Sequence, residues 1–218
     1  MRSRQYGVRM RFSDEPLRIV GSNMVFENFK MYASNDNPLT LNGNVDFSNL
    51  DDMRMDLRMI ARNCQVIDAK ENRRSVAFGK AFVDFYGTMK GPVERLELLG
   101  RLDVLGSTDM SYILRDTPLS TDNRMDELVK FVSFEDTTAT VVELQPMTSF
   151  KMDLTMNIAQ GAHVMCYLNT DHSNYIDLLG GGNLRLQYDL SGNMRLTGRY
   201  TLDNGEMKYS LPVIPLKT

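Results

Sequence analysis

Alternation with a period of two runs through most of this chain, and it restricts the fold more than any other feature. Met53, Met55, Leu57 and Met59 fall on one side of an extended segment, with Arg54, Asp56 and Arg58 on the other. Leu39, Leu41, Gly43, Val45 and Phe47 oppose Thr40, Asn42, Asn44 and Asp46. Phe150, Met152, Leu154, Met156 and Ile158 oppose Lys151, Asp153, Thr155 and Asn157. Leu184, Leu186, Tyr188 and Leu190 oppose Arg185, Gln187 and Asp189; Met194, Leu196, Gly198, Tyr200 and Leu202 oppose Arg195, Thr197, Arg199 and Thr201. A strand sends successive side chains to opposite faces, so this pattern predicts long strands with one apolar and one charged face. A parallel sheet covered by helices would read instead as unbroken apolar runs. The fold class expected is all-β: an elongated, curved, antiparallel-rich sheet with a one-sided hydrophobic trough.

Strand patterns of about 9–11 residues exceed the usual 5–6. Ser191-Gly192-Asn193 and Asp203-Asn204-Gly205 carry hairpin-turn chemistry. They predict a C-terminal meander of three strands, 184–190, 194–202 and 206–211. Gly43, Gly87, Gly91, Gly100, Gly106 and Gly198 lie in or beside strand patterns and predict bulges or bends. Gly180-Gly181-Gly182 predicts a flexible lead into the 184–190 strand. Alternation is weakest from Arg115 to Met147. Thr121 to Val132 is a helix candidate there, with a strand at 129–134 as the alternative. The organisation expected is an N-terminal β portion over 1–114, an excursion over 115–147 and a C-terminal β portion over 148–218. Both ends stop within the pattern, so an interior piece of a longer chain is expected.

Composition removes several functions. Twenty-five Lys and Arg against 28 Asp and Glu leave a net charge of −3, with no basic field for nucleic acid. Two cysteines do not make a disulfide framework, and with two histidines they do not suggest a zinc cluster. There is no apolar leader like that of a signal peptide, and no apolar run long enough for a membrane span. Sixteen methionines stand out. Many lie on the apolar strand faces, where a flexible, polarisable side chain suits either core filling or varied apolar partners.

Catalytic groupings are sparse. His163 lies in an alternating run, on the side opposite Val164 and Cys166, and is expected on a strand surface. His172 lies in the polar turn Thr170-Asp171-His172-Ser173-Asn174. Cys64 and Cys166 sit among apolar residues as buried thiols, and a disulfide between them stays open. Gly180-Gly181-Gly182 lacks the Lys-Ser/Thr of a phosphate loop. Asp51-Asp52 and Glu135-Asp136 are expected to be solvated loop charges. No cofactor is expected.

The C-terminal third is more distinctive. Gly182-Asn183-Leu184-Arg185-Leu186 leads to Gly192-Asn193-Met194-Arg195-Leu196-Thr197-Gly198-Arg199-Tyr200-Thr201-Leu202 and Gly205-Glu206-Met207-Lys208-Tyr209-Ser210-Leu211. Earlier come Phe78-Gly79-Lys80-Ala81, Tyr86-Gly87-Thr88-Met89-Lys90-Gly91-Pro92, Ser107-Thr108-Asp109-Met110 and Phe131-Val132-Ser133-Phe134. Together these resemble the TamB family (translocation and assembly module subunit TamB, DUF490 domain) over about residues 36–218. The long 115–147 excursion resembles its Bacteroidetes branch. Departures are Phe78, where Tyr is commoner, and the extra Asn183.

The resemblance implies a periplasmic β-structure belonging to a full-length protein anchored in the inner membrane. It implies a role in outer-membrane biogenesis, through phospholipid transport or outer-membrane protein assembly, and no catalytic residues. Its partners would be phospholipid acyl chains and a BamA/TamA-like outer-membrane barrel protein reached through the full-length chain. The candidate groove lining is Met53, Met55, Leu57, Met59, Leu96, Leu98, Leu102, Val104, Phe150, Met152, Leu154, Met156, Ile158, Leu184, Leu186, Tyr188, Leu190, Met194, Leu196, Tyr200, Leu202, Met207 and Tyr209. Two other classes stay open. A carbohydrate-active β-solenoid enzyme would need paired carboxylates, and Asp103, Asp153 and Asp189 point outward. A β-sandwich adhesin would close its apolar faces on each other.

Overall fold

The computed structural model describes residues 10–72, 76–114 and 150–209. These form one sheet of eleven strands, with no helix among them beyond a single 3₁₀ turn at Val93–Arg95. The strands are β1 (Arg11–Phe12), β2 (Arg18–Val20), β3 (Asn23–Tyr32), β4 (Pro38–Asp46), β5 (Arg54–Ala69), β6 (Ala77–Pro92), β7 (Leu96–Val104), β8 (Asp109–Ile113), β9 (Phe150–Tyr167), β10 (Tyr175–Tyr188) and β11 (Met194–Lys208). The strand order is β1-β3-β4-β5-β6-β7-β9-β10-β11, with β2 also paired to β3 and β8 lying between β6 and β9. Neighbours are antiparallel except β7 and β8, which run parallel to β9. The helix candidate at 121–132, its strand alternative at 129–134 and the whole 115–147 excursion fall outside the described residues.

Strands pack substantially only against their hydrogen-bonded neighbours. Two sheets closed face to face would bury the apolar side chains between them, but here Met152, Met156, Leu184 and Leu186 are only half-buried and Met194 and Leu196 are exposed. Among the described residues the architecture is therefore a single layer, not a sandwich. Several strands are also longer than the sequence pattern indicated: β5 and β6 have 16 residues and β9 has 18.

Turn chemistry explains one predicted hairpin and corrects another. Between β10 and β11, the Asp189 carboxylate accepts the backbone N–H groups of Ser191 at 2.9 Å and Asn193 at 3.0 Å. Gly192 there has φ 82°. Leu190 consequently lies in the turn, since β10 ends at Tyr188. Asp203-Asn204-Gly205 does not reverse the chain. Leu202 pairs with Gly180 and Asn204 pairs with Leu179, so Asp203 is an extra residue and β11 runs on through it. The turn-like residues are accommodated by a bulge because β10 extends far enough, back to Tyr175, to pair with the continuation.

Gly180-Gly181-Gly182 is also not a flexible lead; it lies inside β10, with Gly180 and Gly181 buried. A Cβ on Gly180 or Gly182 would strike the carbonyl oxygens of Thr201 or Arg199 on β11, and one on Gly181 would meet Ile158 O at 2.6 Å. The triplet permits this close approach of three backbones.

Irregularities line up across several strands into a transverse crease. On one side the register reads Val104, Ile158, Gly182, Tyr200 across β7, β9, β10 and β11. On the other it reads Asp109, His163, Leu179, Asn204 across β8, β9, β10 and β11. Between them lie the break from β7 to β8, two extra residues in β9 and the bulge in β11. Thr108 staples the crease. Its hydroxyl oxygen accepts Phe82 N–H at 3.1 Å, and its carbonyl accepts His163 N–H at 2.9 Å.

One prediction concerns the turn at Asp189. Its carboxyl is held below the ordinary carboxylate range, chiefly by the backbone N–H of Asn193. A depressed carboxylate contributes stability above its unfolded pKa, and that stability is lost as pH falls through the folded pKa. Asp189→Ala should lower the urea midpoint near neutral pH and converge on wild type in acid. A difference that stays constant with pH would show that the turn does not rely on the charge.

Candidate functional site

The register turns strand alternation into apolar rows that cross the sheet. One row runs Phe29, Leu41, Met59, Gly87, Gly100, Leu154, Leu186, Leu196 over eight successive strands. At about 4.8 Å per strand it is about 33 Å long. Beside it run Gly43, Leu57, Met89, Leu98, Met152, Tyr188, Met194 and then Leu39, Ala61, Phe85, Leu102, Met156, Leu184, Gly198. Met55 pairs with Val45, and Leu96 pairs with Phe150. Beyond the crease the face continues through Met110, Val164 and Leu178, and through Tyr112, Cys166, Ile176 and Met207.

The candidate residues named from sequence thus share one face of one sheet. The exceptions lie at element ends: Met53 just precedes β5, Leu190 is in the turn, and Tyr209 follows β11. Sequence reasoning missed Phe85 and Met89, whose strand is interrupted by Gly79, Gly87 and Gly91. It also left out Phe29, which with Leu41 and Met59 forms one of the buried clusters. A second cluster comprises Ala33, Ala61, Cys64 and Val83.

Burial is uneven along the face. Leu57, Met59 and Leu154 are buried, whereas Met152, Met156, Leu184 and Leu186 are only half-buried. On β11, Met194 is 70% exposed and Leu196 57%. The face is therefore tightly packed over β4–β6 and progressively open toward β11. An exposed apolar patch of this kind is a candidate interaction surface.

The opposite face is charged and internally matched. Lys90 meets Asp56 at 3.0 Å, Lys151 meets Glu97 at 2.6 Å and Arg101 meets Asp103 at 2.8 Å. Arg185 grips Asp153 with two nitrogens, at 2.8 and 2.6 Å. Exposed pairs are individually weak, so their main effect is to keep this face wet. Separation is not complete, because Tyr86 and Leu99 are exposed on the charged face.

The outward acids do not pair with one another. The Asp153 carboxyl is held low by the Arg185 guanidinium. Burial pushes the Asp103 carboxyl up, but hydrogen bonds from Arg101 and Asn157 outweigh it and leave it lowered. A glycosidase general acid needs a raised pKa and a companion carboxylate facing it. Asp189 is committed to its turn.

Cys64 and Cys166 are free thiols. Burial raises the pKa of both. His172 occupies the expected turn at φ 61°, its ring stacked on Tyr167 at 3.9 Å. No group of His, Cys, Asp and Glu among the described residues is arranged to hold a metal ion, and no helix there is long and apolar enough to cross a membrane.

These features define a class: a single-layer β-protein with one apolar face and one ion-paired face. Comparison with known families matches residues 27–211 to the TamB C-terminal domain. The chain belongs to the TamB family, whose role lies in outer-membrane protein assembly or related envelope biogenesis. No curated protein and no solved structure matches it.

Proposed function

We propose that this segment is a periplasmic stretch of hydrophobic conduit that carries phospholipid acyl chains between the inner and outer membranes. The observation behind this reading is the continuous apolar face, half-buried toward β11 and backed by a charged face. Each acyl methylene withdrawn from water contributes about 0.8 kcal/mol, so the face can hold lipid tails without covalent chemistry. The full-length protein would be anchored in the inner membrane and meet a BamA/TamA-like barrel protein at the outer membrane. Curvature of the sheet into a trough belongs to the same proposal.

Photocrosslinking groups at Met152, Met156, Leu186 and Leu196 should capture phospholipid in cells, and groups at Lys151 and Arg185 should not. Equal capture on both faces, or none on either, would defeat the conduit.

A second reading, a scaffold for nascent outer-membrane proteins, is favoured by β11. Among the described residues β11 is an edge strand of 15 residues, almost wholly exposed. Unpaired strand edges accept further strands. On that reading, crosslinkers at Arg195 and Arg199 would capture polypeptide.

A further inference from the structure

We propose that His163 is a proton-operated latch across the crease of the sheet, holding β8 and β10 to β9 while its ring is charged. His163 Nδ1 lies 2.8 Å from an Asp109 carboxylate oxygen on β8, and Nε2 lies 2.7 Å from one of Asp177 on β10. Ionised carboxylates only accept hydrogen bonds, and a neutral imidazole has a single N–H to donate. Both contacts are satisfied together only by imidazolium. With a neutral ring, one carboxylate would face a nitrogen lone pair.

Charges on the surrounding strands bear on the same ring. Asp109 pairs in register with Lys80 of β6, and Asp177 pairs with Glu206 of β11. Glu206 in turn accepts the Tyr175 hydroxyl at 2.9 Å. Within β9, Gly161 and Met165 two residues to either side carry no charge. Two carboxylates thus contact the imidazole, with Glu206 and Lys80 one strand further out, and the contacting pair favours its charged form. The hydrogen bond that His163 donates to Asp109 raises the His163 pKa above the ordinary 6.5, against the opposing effect of burial and with further help from Asp177.

Position gives the latch its consequence. His163 stands in the first register row past the crease, where β8 begins. β8 is only five residues long, and its pairing with β9 is parallel. Parallel pairing is slightly weaker per residue than antiparallel. Asp109 has 78% of its side chain exposed against 32% for Asp177. Water therefore solvates Asp109 more readily, and Asp109 is the partner released when the ring loses its proton. The folded pKa is raised, so the latch contributes fully below the unfolded pKa and is lost as pH rises through the folded value. Acid closes this part of the sheet and alkali loosens it.

The test is NMR titration of both imidazoles in the full chain, with hydrogen exchange followed at β8 amides Met110–Ile113 from about pH 5.5 to about pH 8.5. Exchange is corrected for its intrinsic pH dependence. The expected result is a His163 pKa above 6.5, lowered in Asp109→Asn, with a several-fold loss of β8 protection centred on that pKa. In His163→Gln the step should disappear. Should that variant not fold, the shift in Asp109→Asn decides the matter. A His163 pKa at or below 6.5, one unmoved in Asp109→Asn, or a protection step that survives in His163→Gln would overturn the latch.

Discussion

Gly43→Ala should destabilise the sheet by about 3–5 kcal/mol, a large share of the stability of an ordinary domain. Two costs combine at this position. Gly43 has φ 133°, a backbone region nearly closed to residues with a Cβ. A Cβ there would also strike the Asp56 carbonyl oxygen of β5 and lie 3.1 Å from Leu57 Cα. These are backbone atoms in the middle of the β4–β5 ladder, so no side chain can turn aside to relieve the contact. Gly21→Ala supplies the control. Gly21 has φ 60° with nothing within 4 Å of the added methyl, so only the left-handed backbone is penalised, by about 1–2 kcal/mol. Urea unfolding of the two variants separates conformational cost from collision. Equal losses would mean that β4 and β5 do not approach each other at Gly43 as described.

That contrast shows what a linear sequence carries and what it does not. The two-residue period was enough to assign a face to Leu41, Met59, Leu154, Leu186 and Leu196, because the pleat alone decides it. Their alignment in one row was not readable, because register is set between strands far apart in the chain. Gly43 and Gly100 could be recognised as interruptions, but not for the neighbour each admits. Gly100 stands next to Gly87 on the adjoining strand, and a Cβ there would meet Tyr86 O at 2.5 Å. Asn204-Gly205 misled for a related reason. It has the local chemistry of a hairpin, but pairing with Leu178 and Leu179 outweighs it and absorbs Asp203 as a bulge. The parallel alignment of β7 with β9 leaves no trace in either strand's own pattern. His163 could be placed on a polar strand face, but its ring partners stand 54 and 14 residues away. Single-residue periodicity cannot bring Asp109 and Asp177 together.

Leu186→Asp should reduce acyl-chain capture by crosslinkers at Leu154 and Leu196 more than tenfold. Leu186 pairs in register with both, so it is the middle member of that stretch of the row. An acyl chain crossing it would strip water from the new carboxylate. Burying a polar or charged group without a partner costs several kcal/mol, more than a few methylenes return at about 0.8 kcal/mol each. A tenfold loss needs only about 1.4 kcal/mol. The fold should tolerate the change, because Leu186 is half-buried and an empty face leaves the carboxylate in contact with water. Arg185→Leu is the matched control, one residue away on the opposite face. It removes the bidentate grip on Asp153, but Gln187 still donates to that carboxylate at 3.2 Å. Capture by the control should stay at the wild-type level even if its urea midpoint moves slightly. The two variants together ask whether lipid follows one face or merely adheres to a sheet. If both lose capture alike, binding does not distinguish the faces. If Leu186→Asp captures normally, acyl chains do not travel along this row.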